Sequence, residues 1–352
     1  MKILFITVRS DFGGGPRHVN QLVGELPDEY DIYMAFPFEG VPYADRWKKD
    51  ERVVDLLPIP YRKFSIKTLL KLRQFVKINE IAIIHSHGNG AGVYSRLLKL
   101  MGVKVKVIHT FHGISDEYSS QVKYLLSFWT GRLLAPFADK YIAVSNGEKA
   151  LGVKRGFCKY RNCEVIYNGI TDEGLGFKNF ERREVVTLSR YDYQKNMSLC
   201  LEIVRLMKED NVRFVWVGDG EDFQAMKESV ENEQLPVDML GFQTNPMDYL
   251  KQASVYLSTS RFEGLPYALI EAASVGLPLV ATDVKGNNEV AINHENGLTF
   301  RTAEEGASAI RKVLNDKQTY ERMNLNSRKL YEERFTINAM IHSLMNLYKS
   351  LN

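Results

Sequence analysis

The stretch from Val255 to Ala272 reads V-Y-L-S-T-S-R-F-E-G-L-P-Y-A-L-I-E-A. It opens with a short apolar run, passes through a polar turn and continues into a second apolar segment at Pro266. Proline fits the first helical position, because its missing N–H is not needed there and its φ is already helical. The stretch therefore predicts a strand, a loop and a helix that begins at about Pro266, the repeating unit of a parallel α/β sheet.

Two glutamates, eight positions apart, interrupt this otherwise apolar stretch. Glu263 falls in the loop, and Glu271 lies more than one turn inside the helix. The amides of Tyr267, Ala268 and Leu269 are expected at the positive end of the helix, which favours an anion. A diphosphate on these amides, with ribose and hexose on the glutamates, would suit a nucleotide sugar. The alternative is one acid that compensates the helix dipole and one surface acid.

Length and composition indicate a two-domain globular protein. The chain has 352 residues, more than a single core usually supports, with 45% hydrophobic and 25% charged residues. Charged residues and glycines directly follow the N-terminal run M-K-I-L-F-I-T-V, which predicts a strand rather than a signal peptide. No run approaches the ~20 apolar residues of a membrane span. The three cysteines lack metal-ligand spacing, so we expect a cytoplasmic protein.

Apolar runs of four to eight residues alternate with longer amphipathic stretches, which is the pattern of parallel strands joined by helices. A polar, acidic segment at 168–184 separates two such series and is expected to be a linker. We therefore predict one Rossmann-like domain at 1–170 and a second at 171–334. Doubly wound sheets bind ligands at the carboxyl ends of their strands, so the site is expected in a central cleft that both domains face.

Charge is distributed unevenly along the chain. Residues 1–170 hold 25 Lys and Arg against 16 Asp and Glu, a balance of +9, and the remaining residues hold 21 against 27, a balance of −6. Residues 60–110 contain ten basic residues and one acid, Glu80. This basic region could contact an anionic membrane or a phosphorylated acceptor.

Two apolar segments of the basic half predict helices. A helix at 64–78 would place five residues on one side and spread its lysines elsewhere; the five are Ile66, Leu69, Leu70, Arg73 and Val76. It could lie on an anionic membrane or pack on its own sheet. The segment at 124–137 could expose Phe128 or Trp129 to an acceptor or a lipid, but a buried helix is the favoured interpretation.

The first strand is followed by D-F-G-G-G-P-R-H, from Asp11 to His18. Three glycines allow a close approach of the backbone to a ligand, and Pro16 is placed to begin a helix whose amides favour an anion. The spacing differs from G-x-G-x-x-G, so dinucleotide binding is poorly supported. The alternative is a simple turn.

A later strand, Val185 to Ser189, ends in S-R-Y-D-Y-Q-K-N. This places Arg190 and Lys195 just beyond the carboxyl end of the strand. Two cations there could neutralise a diphosphate and stabilise the charge that grows on it as a leaving group. The alternative is a pair of solvated surface cations.

Four histidines lie at two strand ends: His85, His87, His109 and His112, in H-S-H-G and H-T-F-H-G. No H-x-x-x-H or cysteine partner accompanies them, and strand alternation is expected to split each pair between opposite faces or onto the turn. A polar cleft lining with His112 nearest the ligand is the favoured interpretation. There is also no D-x-D triplet that could hold a divalent ion. We therefore predict no metal.

Together these segments resemble the retaining glycosyltransferases of family 4, which have the two-domain GT-B fold. The resemblance spans nearly the whole chain and is most specific in its second half. The matching segments are G-G-G-P-R-H from Gly13, T-F-H-G from Thr110, V-S-N-G-E-K from Val144, V-I-Y-N-G-I from Val165, L-S-R-Y-D-Y-Q-K-N from Leu188, W-V-G-D-G-E from Trp216, L-G-F from Leu240, E-G-L-P-Y-A-L-I-E-A from Glu263 and V-K-G-N-N-E-V from Val284.

The resemblance implies a role for each matching residue. Glu271 would bind the donor ribose, Glu263 would face the donor hexose, and Arg190 and Lys195 would bind the diphosphate. His112 would lie near the reacting sugar. The other donor-binding residues implied are Gly13, Gly14, Gly15, Gly241, Phe242, Leu265, Tyr267, Ala268 and Leu269. A C-terminal helix at about 335–352 would complete the first domain.

The resemblance further implies a metal-independent, retaining hexosyltransferase. It would move a hexose or N-acetylhexosamine from a UDP- or GDP-linked sugar to a glycan, lipid-linked or small-molecule acceptor, in surface polysaccharide or glycolipid synthesis. No cofactor beyond the nucleotide sugar and no nucleic-acid partner are expected. Residues 60–110 could contact the inner face of the cytoplasmic membrane. A nucleotide-sugar epimerase or a non-catalytic nucleotide-sugar-binding protein is the alternative.

Two positions depart from the family pattern. Asn196 stands where many relatives have glycine, and the segment at Gly286 reads G-N-N instead of carrying a glycine pair. Both lie in loops expected near the diphosphate or the sugar, so they bear on which sugar is bound.

Overall fold

The computed structural model describes residues 1–114, 121–177 and 180–351. Contacts divide the chain into two compact units, Met1–Asn168 with Ile337–Asn352, and Gly169–Thr336. Each unit is built on a parallel sheet with helices on both faces. The predicted pair of doubly wound, Rossmann-like sheets is thereby confirmed. Parts of the predicted linker and C-terminal segment, 178–179 and 352, lie outside the described residues.

In the described part of the first unit the sheet has seven strands, in the order β3-β2-β1-β4-β5-β6-β7. They are β1 (Lys2–Thr7), β2 (Asp31–Phe36), β3 (Val53–Pro58), β4 (Ile83–His87), β5 (Lys106–Thr110), β6 (Lys140–Ala143) and β7 (Cys163–Val165). The helices are α1 (Gly14–Glu25), α2 (Tyr43–Lys48), α3 (Ile66–Ile78), α4 (Asn89–Leu100), α5 (Gln121–Leu133), α6 (Asn146–Lys154) and, from the C-terminal segment, α13 (Ile337–Lys349).

Two apolar layers cover the first sheet. Strand β1 is buried along almost its whole length, as expected of a central parallel strand with helices on both faces. Helices α1, α2 and α13 contribute to one layer, and α3, α4, α5 and α6 contribute to the other. Helix α13 therefore supplies part of the first unit's core, although it comes from the far end of the chain.

The strand order reverses between β1 and β4, because the chain first runs outward through β2 and β3 and then returns to the other side of β1. Such a reversal opens a crevice at the carboxyl ends of the two strands, where doubly wound sheets bind ligands. The loop after β1 leads into α1, which begins at Gly14, two residues before the predicted start at Pro16.

In the described part of the second unit the sheet has six strands, in the order β10-β9-β8-β11-β12-β13. They are β8 (Glu184–Leu188), β9 (Arg213–Val217), β10 (Val237–Gly241), β11 (Val255–Ser258), β12 (Leu279–Thr282) and β13 (Gly297–Phe300). The helices are α7 (Met197–Leu206), α8 (Phe223–Asn232), α9 (Met247–Gln252), α10 (Tyr267–Ser274), α11 (Ala303–Asn315) and α12 (Lys317–Arg334).

The second sheet reverses between β8 and β11. The stretch that opens the sequence analysis forms β11, a loop and α10, as predicted. Helix α10 begins at Tyr267, one residue after the predicted start, because Pro266 has an extended ψ of 123° and caps the helix. We call the place where the strand order of a sheet reverses its switch point. The switch point of the second unit thus lies beside the N-terminus of α10.

The buried side of α3 differs from the prediction. Leu69 and Val76 are buried as expected, but Ile66 and Leu70 are exposed beside Lys67. Leu72 and Phe75 are buried in their place. Residues that follow Leu69 at successive steps of three or four lie on the helix side that faces the sheet, whereas Leu70 points about 100° away from that side.

The prediction of a buried helix at 124–137 is wrong. Helix α5 exposes Trp129 to 52% and Leu126 to 64%, together with Val122, Leu125 and Leu133. Phe128 faces inward, with its ring centroid 5.9 Å from that of Phe157. A helix that is apolar on several sides can bury only the side that meets its sheet.

Candidate functional site

The central contact of the second unit's switch point is an ion pair between the loops that follow β8 and β11. Lys195 Nζ lies 2.6 Å from Glu263 Oε1, and the Glu263 side chain is only 7% exposed. Ser260 Oγ donates to the same carboxylate oxygen over 2.8 Å, and Gln194 Nε2 donates to the other oxygen over 3.2 Å. Glu263 is therefore held by three partners, which offset the cost of burying a carboxylate.

Arg190 occupies the exposed edge of this network. Its side chain is 46% exposed and lies 2.8 Å from Asp192 Oδ2. It also donates to Gln194 Oε1 over 3.3 Å, so it is linked to Glu263 through one side chain. The structure thus brings together three predicted catalytic residues, Arg190, Lys195 and Glu263. Two cations and one carboxylate here could bind an anionic diphosphate and a sugar hydroxyl.

The N-terminus of α10 lies at the same place. Pro266 and Ala268 line a small concavity with Lys195 and Ser258. The backbone around Ala268 therefore lies beside the predicted cation. Leu265, Tyr267 and Leu269, predicted donor-binding residues, have buried side chains.

Glu271 is a buried residue of α10. Burial, and next the negative charges of Glu271 and Glu263, raise the pKa of the Tyr256 hydroxyl above its usual range. The charges of Glu263 and Glu271 therefore both raise the pKa of the same residue, Tyr256 of β11. The predicted alternative, in which one of them is a surface acid, does not fit their burial.

Gly241 and Phe242 lie at the carboxyl end of β10, two strands from β8. Gly241 has a φ of +65° and accepts a hydrogen bond from Gly218 N over 2.8 Å. Phe242 is 55% exposed. These two residues lie at the same carboxyl edge of the second sheet as the loop after β8, which carries Lys195.

The structure explains both departures from the family pattern. Asn196 has a φ of +54°, a left-handed conformation that asparagine tolerates better than most residues, so it can replace a glycine. Asn287 is buried and donates to Thr282 Oγ1, which in turn donates to Ser260 O over 2.6 Å. Asn287 thus supports the loop that carries Glu263. Gly286 must remain glycine, because a Cβ would lie 2.6 Å from Gly264 O.

The first unit's switch point joins the glycine loop to His112. A Cβ on Gly15 would lie 3.7 Å from His112 Cδ2, so the ring packs against the start of α1. Gly14 begins α1 and Gly13 caps it. His112 has a φ of +61° and is part-buried. The structure therefore brings the predicted glycines and His112 together.

The expectation that strand alternation separates the histidines is wrong for one pair. His85 and His87 are two residues apart in β4 and share a face, with ring centroids 4.1 Å apart. His87 Nδ1 also lies 3.0 Å from His112 Nε2. His109 points to the opposite apolar layer, where its Nδ1 lies 3.1 Å from Ser86 Oγ.

These histidines are neutral at physiological pH. Burial, and then neighbouring histidines, hold the pKa of His87 and of His112 well below the usual value. Burial lowers the pKa of His18 to about 4, against the opposing effect of its hydrogen bond to Asn168. The histidine cluster of the first unit is therefore polar but carries little charge.

Sequence reasoning missed His18, which lies in the same cluster. Ring nitrogens of His18, His87 and His112 lie within 4.8 Å of one another, a spacing at which a metal ion could be held. The only sequence signal was the histidine at the end of the G-G-G-P-R-H motif. The prediction of a metal-free site stays a prediction.

Glu148 is a second residue whose role the sequence did not reveal. It is fully buried, and its carboxylate accepts hydrogen bonds from the amides of Gly113, Ile114 and Val144. The first two follow His112 directly, so Glu148 fixes the turn that carries this histidine. A Ser-x-x-Glu pattern at Ser145 was the available signal, because it marks a helix start.

Comparison with protein families gives two matches that follow each other along the chain. Residues 12–173 match the model described as Glycosyltransferase Family 4, and residues 176–330 match the model described as Glycosyl transferases group 1.

Several curated relatives are similar over most of their length. The chain is 26% identical to the UDP-Gal:alpha-D-GlcNAc-diphosphoundecaprenol alpha-1,3-galactosyltransferase of Escherichia coli, over 92% of this chain and 90% of that protein. It is 28% identical to a Campylobacter jejuni N-acetylgalactosaminyltransferase that acts on N-acetylgalactosamine-N,N'-diacetylbacillosaminyl-diphospho-undecaprenol, over 84% of both chains. It is 25% identical to the capsular polysaccharide biosynthesis glycosyltransferase CapH of Staphylococcus aureus, over 82% of this chain and 83% of that protein.

Solved structures share the whole fold. Anabaena Alr3699/HepE in complex with UDP-glucose superposes with a TM-score of 0.83 at 19% identity, over 99% of this chain and 100% of that chain. The lipopolysaccharide outer core galactosyltransferase WaaB superposes with a TM-score of 0.78 at 18% identity, over 99% of this chain and 100% of that chain. At such identities the likeness shows the fold, which is the predicted GT-B fold.

Proposed function

Since the chain belongs to glycosyltransferase family 4, we propose that it transfers a hexose or N-acetylhexosamine from a UDP-sugar to a lipid-linked acceptor in surface polysaccharide synthesis. Its enzyme class, glycosyltransferase, follows from the family and its relatives. The donor and acceptor are proposals, supported by two relatives whose names give diphospho-undecaprenol acceptors. GDP-sugars are the second donor class to be tested.

One observation carries the proposal within this chain. Lys195 and Glu263 form a buried ion pair at the second switch point, beside the N-terminus of α10. A diphosphate bound there would meet Lys195, Arg190 and the backbone amides at the start of the helix. Glu263 would accept hydrogen bonds from donor-sugar hydroxyls, and Glu271 from the ribose.

We further propose that the reaction retains the anomeric configuration and needs no metal. As the bond to the sugar breaks, charge grows on the leaving diphosphate, and preorganised cations and amides stabilise that charge. A leaving-diphosphate oxygen accepts the acceptor's proton while the acceptor hydroxyl attacks from the same face. The protein then supplies positioning and charge stabilisation rather than a nucleophile.

Product analysis tests this function. The full-length protein is incubated with UDP-glucose, UDP-galactose, their N-acetyl counterparts and GDP-mannose, with and without a short-chain polyprenyl-diphosphate-linked sugar. We expect release of UDP that depends on the acceptor, and an α-linked product by NMR from an α-linked donor. A β-linked product would contradict retention, and nucleotide-sugar interconversion without acceptor would favour an epimerase.

We also propose that the first unit contacts an anionic bilayer. Exposed Lys67 and Lys71 on α3 alternate with exposed Ile66 and Leu70, and α5 exposes the apolar stripe that includes Trp129. Cations next to apolar side chains match a surface of anionic headgroups over acyl chains. In the described part of the chain no helix combines the length and apolar character that crossing a bilayer requires.

Vesicle cosedimentation tests the membrane contact. Replacing Leu125 and Trp129 by serine should weaken binding to anionic vesicles, because exposed apolar area is lost. Leu325→Ser, at an exposed apolar position of α12, serves as the control. Binding should also fall as salt rises. Equal binding to neutral vesicles, or unchanged binding of the double variant, would contradict the proposal.

A further inference from the structure

His87 is a buried residue of β4 that the proposed reaction does not use. Its Nδ1 lies 3.0 Å from Nε2 of His112, and the two rings stack with an interplanar angle of 26°. Its other nitrogen, Nε2, is buried and has no hydrogen-bond partner among the described residues. A neutral imidazole carries one proton on one nitrogen, so these contacts restrict the proton positions of both rings.

Two arrangements are compatible with the contact. In one, His87 Nδ1–H donates to His112 Nε2, and His112 carries its own proton on Nδ1. In the other, His112 Nε2–H donates, and His87 keeps its proton on Nε2, where it meets no acceptor. A buried N–H without an acceptor is rarer than an acceptor without a donor. The first arrangement is therefore favoured.

Other contacts fix the orientation of the His112 ring. His18 meets it edge to face, with centroids 4.8 Å apart and an interplanar angle of 67°. His18 is itself held, because its Nδ1 lies 3.2 Å from Asn168 Oδ1, an oxygen that only accepts. Gly15 packs on the ring's Cδ2 edge. His112 thus has little freedom to present its nitrogens differently.

We propose that His87 is a positioning residue that fixes the proton of His112 on Nδ1, so that His112 offers one N–H donor to a ligand oxygen. The inference rests on the proposed function, together with the position near the reacting sugar that the family resemblance implies for His112, and adds the chemistry of that contact. The ligand atom is a hydrogen-bond acceptor, such as a phosphate or hydroxyl oxygen. A metal ion does not fit, because it would need a nitrogen lone pair at that position.

Histidine NMR on the ligand-free, full-length protein tests the proton position directly. Selective ¹⁵N labelling with long-range ¹H–¹⁵N correlation separates a protonated ring nitrogen from an unprotonated one, and loss of a signal in His112→Asn assigns the ring. We expect a protonated Nδ1 and an unprotonated Nε2 in His112. A proton on Nε2 overturns the inference, whatever the enzyme's activity.

Two variants of His87 test its effect on turnover. His87→Asn retains an amide donor near the position of Nδ1, whereas His87→Leu fills similar space without a donor. We expect kcat to fall by about ten- to a hundredfold in His87→Leu, the range found when an outer partner that orients a functional group is removed. We expect kcat to stay within about threefold in His87→Asn, with donor KM little changed in both.

Melting curves establish that both variants fold, and His342→Leu, at an exposed histidine of α13, is the control. Equal losses in the asparagine and leucine variants would overturn the inference. So would a His87→Leu loss of the same size in a His112→Asn background, because coupled residues are not additive. Full activity of His112→Asn alone would instead contradict the proposed role of His112, while the NMR result stands independently.

Calorimetric titration with Zn²⁺ tests whether His18, His87 and His112 bind a metal ion instead. We expect no binding that depends on His18 and His87. Tight binding that is lost in His18→Asn would show that lone pairs, not N–H groups, meet at this position, and would overturn the inference.

Discussion

The two switch points of this protein handle charge in opposite ways. In the second unit a lysine and a glutamate form an ion pair over 2.6 Å, and further hydrogen bonds satisfy the carboxylate. In the first unit buried histidines avoid charge, with the pKa of His18 lowered to about 4. Fixed charge suits a diphosphate, and neutral rings suit hydrogen bonds to a sugar or a phosphate oxygen. We therefore propose that the second unit stabilises charge and that the first unit orients the ligand.

The largest effect is expected from removing the second unit's cations. Lys195→Ala should lower kcat on the order of 10²-fold or more, since it removes one preorganised donor and leaves Glu263 buried without its ion partner. Arg190→Ala should act in the same direction. Steady-state turnover with saturating donor is the measurement.

Lys227→Ala provides the matched control, because this lysine of α8 is exposed and pairs only with a residue on its own helix among the described contacts. Near-normal turnover in both the Lys195 and Arg190 variants would contradict the proposal that the second unit stabilises the charge on the leaving diphosphate.

Acid should destabilise the first unit through its neutral histidines. The folded pKa of His18, about 4, lies below the unfolded value of 6.5, so the unfolded state binds more protons in this window. The contribution of His18 to the free energy of unfolding is therefore complete above about pH 6.5 and is lost as the pH falls towards 4. At ~1.4 kcal/mol per pH unit, the total loss for this group is on the order of 3 kcal/mol.

Urea unfolding at pH 7.5 and pH 5, followed by tryptophan fluorescence, measures this loss. His18→Gln should reduce the pH dependence, whereas the exposed His342→Gln should leave it unchanged. An equal pH dependence in the wild type and His18→Gln would show that other groups cause the acid sensitivity.

A smaller effect is expected at the ribose side of the donor. Glu271→Ala should weaken donor binding by about tenfold, the equivalent of ~1.4 kcal/mol for a hydrogen bond to a charged group, with kcat little changed. Donor KM and direct calorimetric titration with UDP report this change. Glu304→Ala, at an exposed glutamate of α11, is the control. An unchanged donor affinity would rule out the ribose contact.

The smallest effect is expected from metal removal. Activity should be unchanged after treatment with EDTA, because in the proposed reaction Lys195, Arg190 and helix amides would take the place of a divalent cation at the diphosphate. Turnover before and after chelation, with Mg²⁺ and Zn²⁺ added back separately, is the check. Activity that returned only with added metal would show that a metal ion is needed to stabilise the charge, which would contradict the proposed role of Lys195 and Arg190.

Most of the fold was predictable because its signals are local. Each predicted strand is a short apolar run, and such a run is sufficient to identify a parallel strand that is buried on both faces. The helix ends were less certain by one or two residues at Pro16 and Pro266, because proline is compatible with several positions near a helix start. The exposed stripe of α5 was missed, because an apolar segment does not itself say which side meets the sheet.

The amino-acid sequence alone determined the two doubly wound sheets, the strand ends at which ligand groups gather, and the identity of the charged residues there. Only the tertiary structure decided which of those residues meet. The pairing of Lys195 with Glu263 joins two loops 68 positions apart, and the meeting of His18, His87 and His112 joins a helix, a strand and a loop. Such contacts depend on strand order and on the direction of each side chain, and neither is encoded in the local pattern of any one segment.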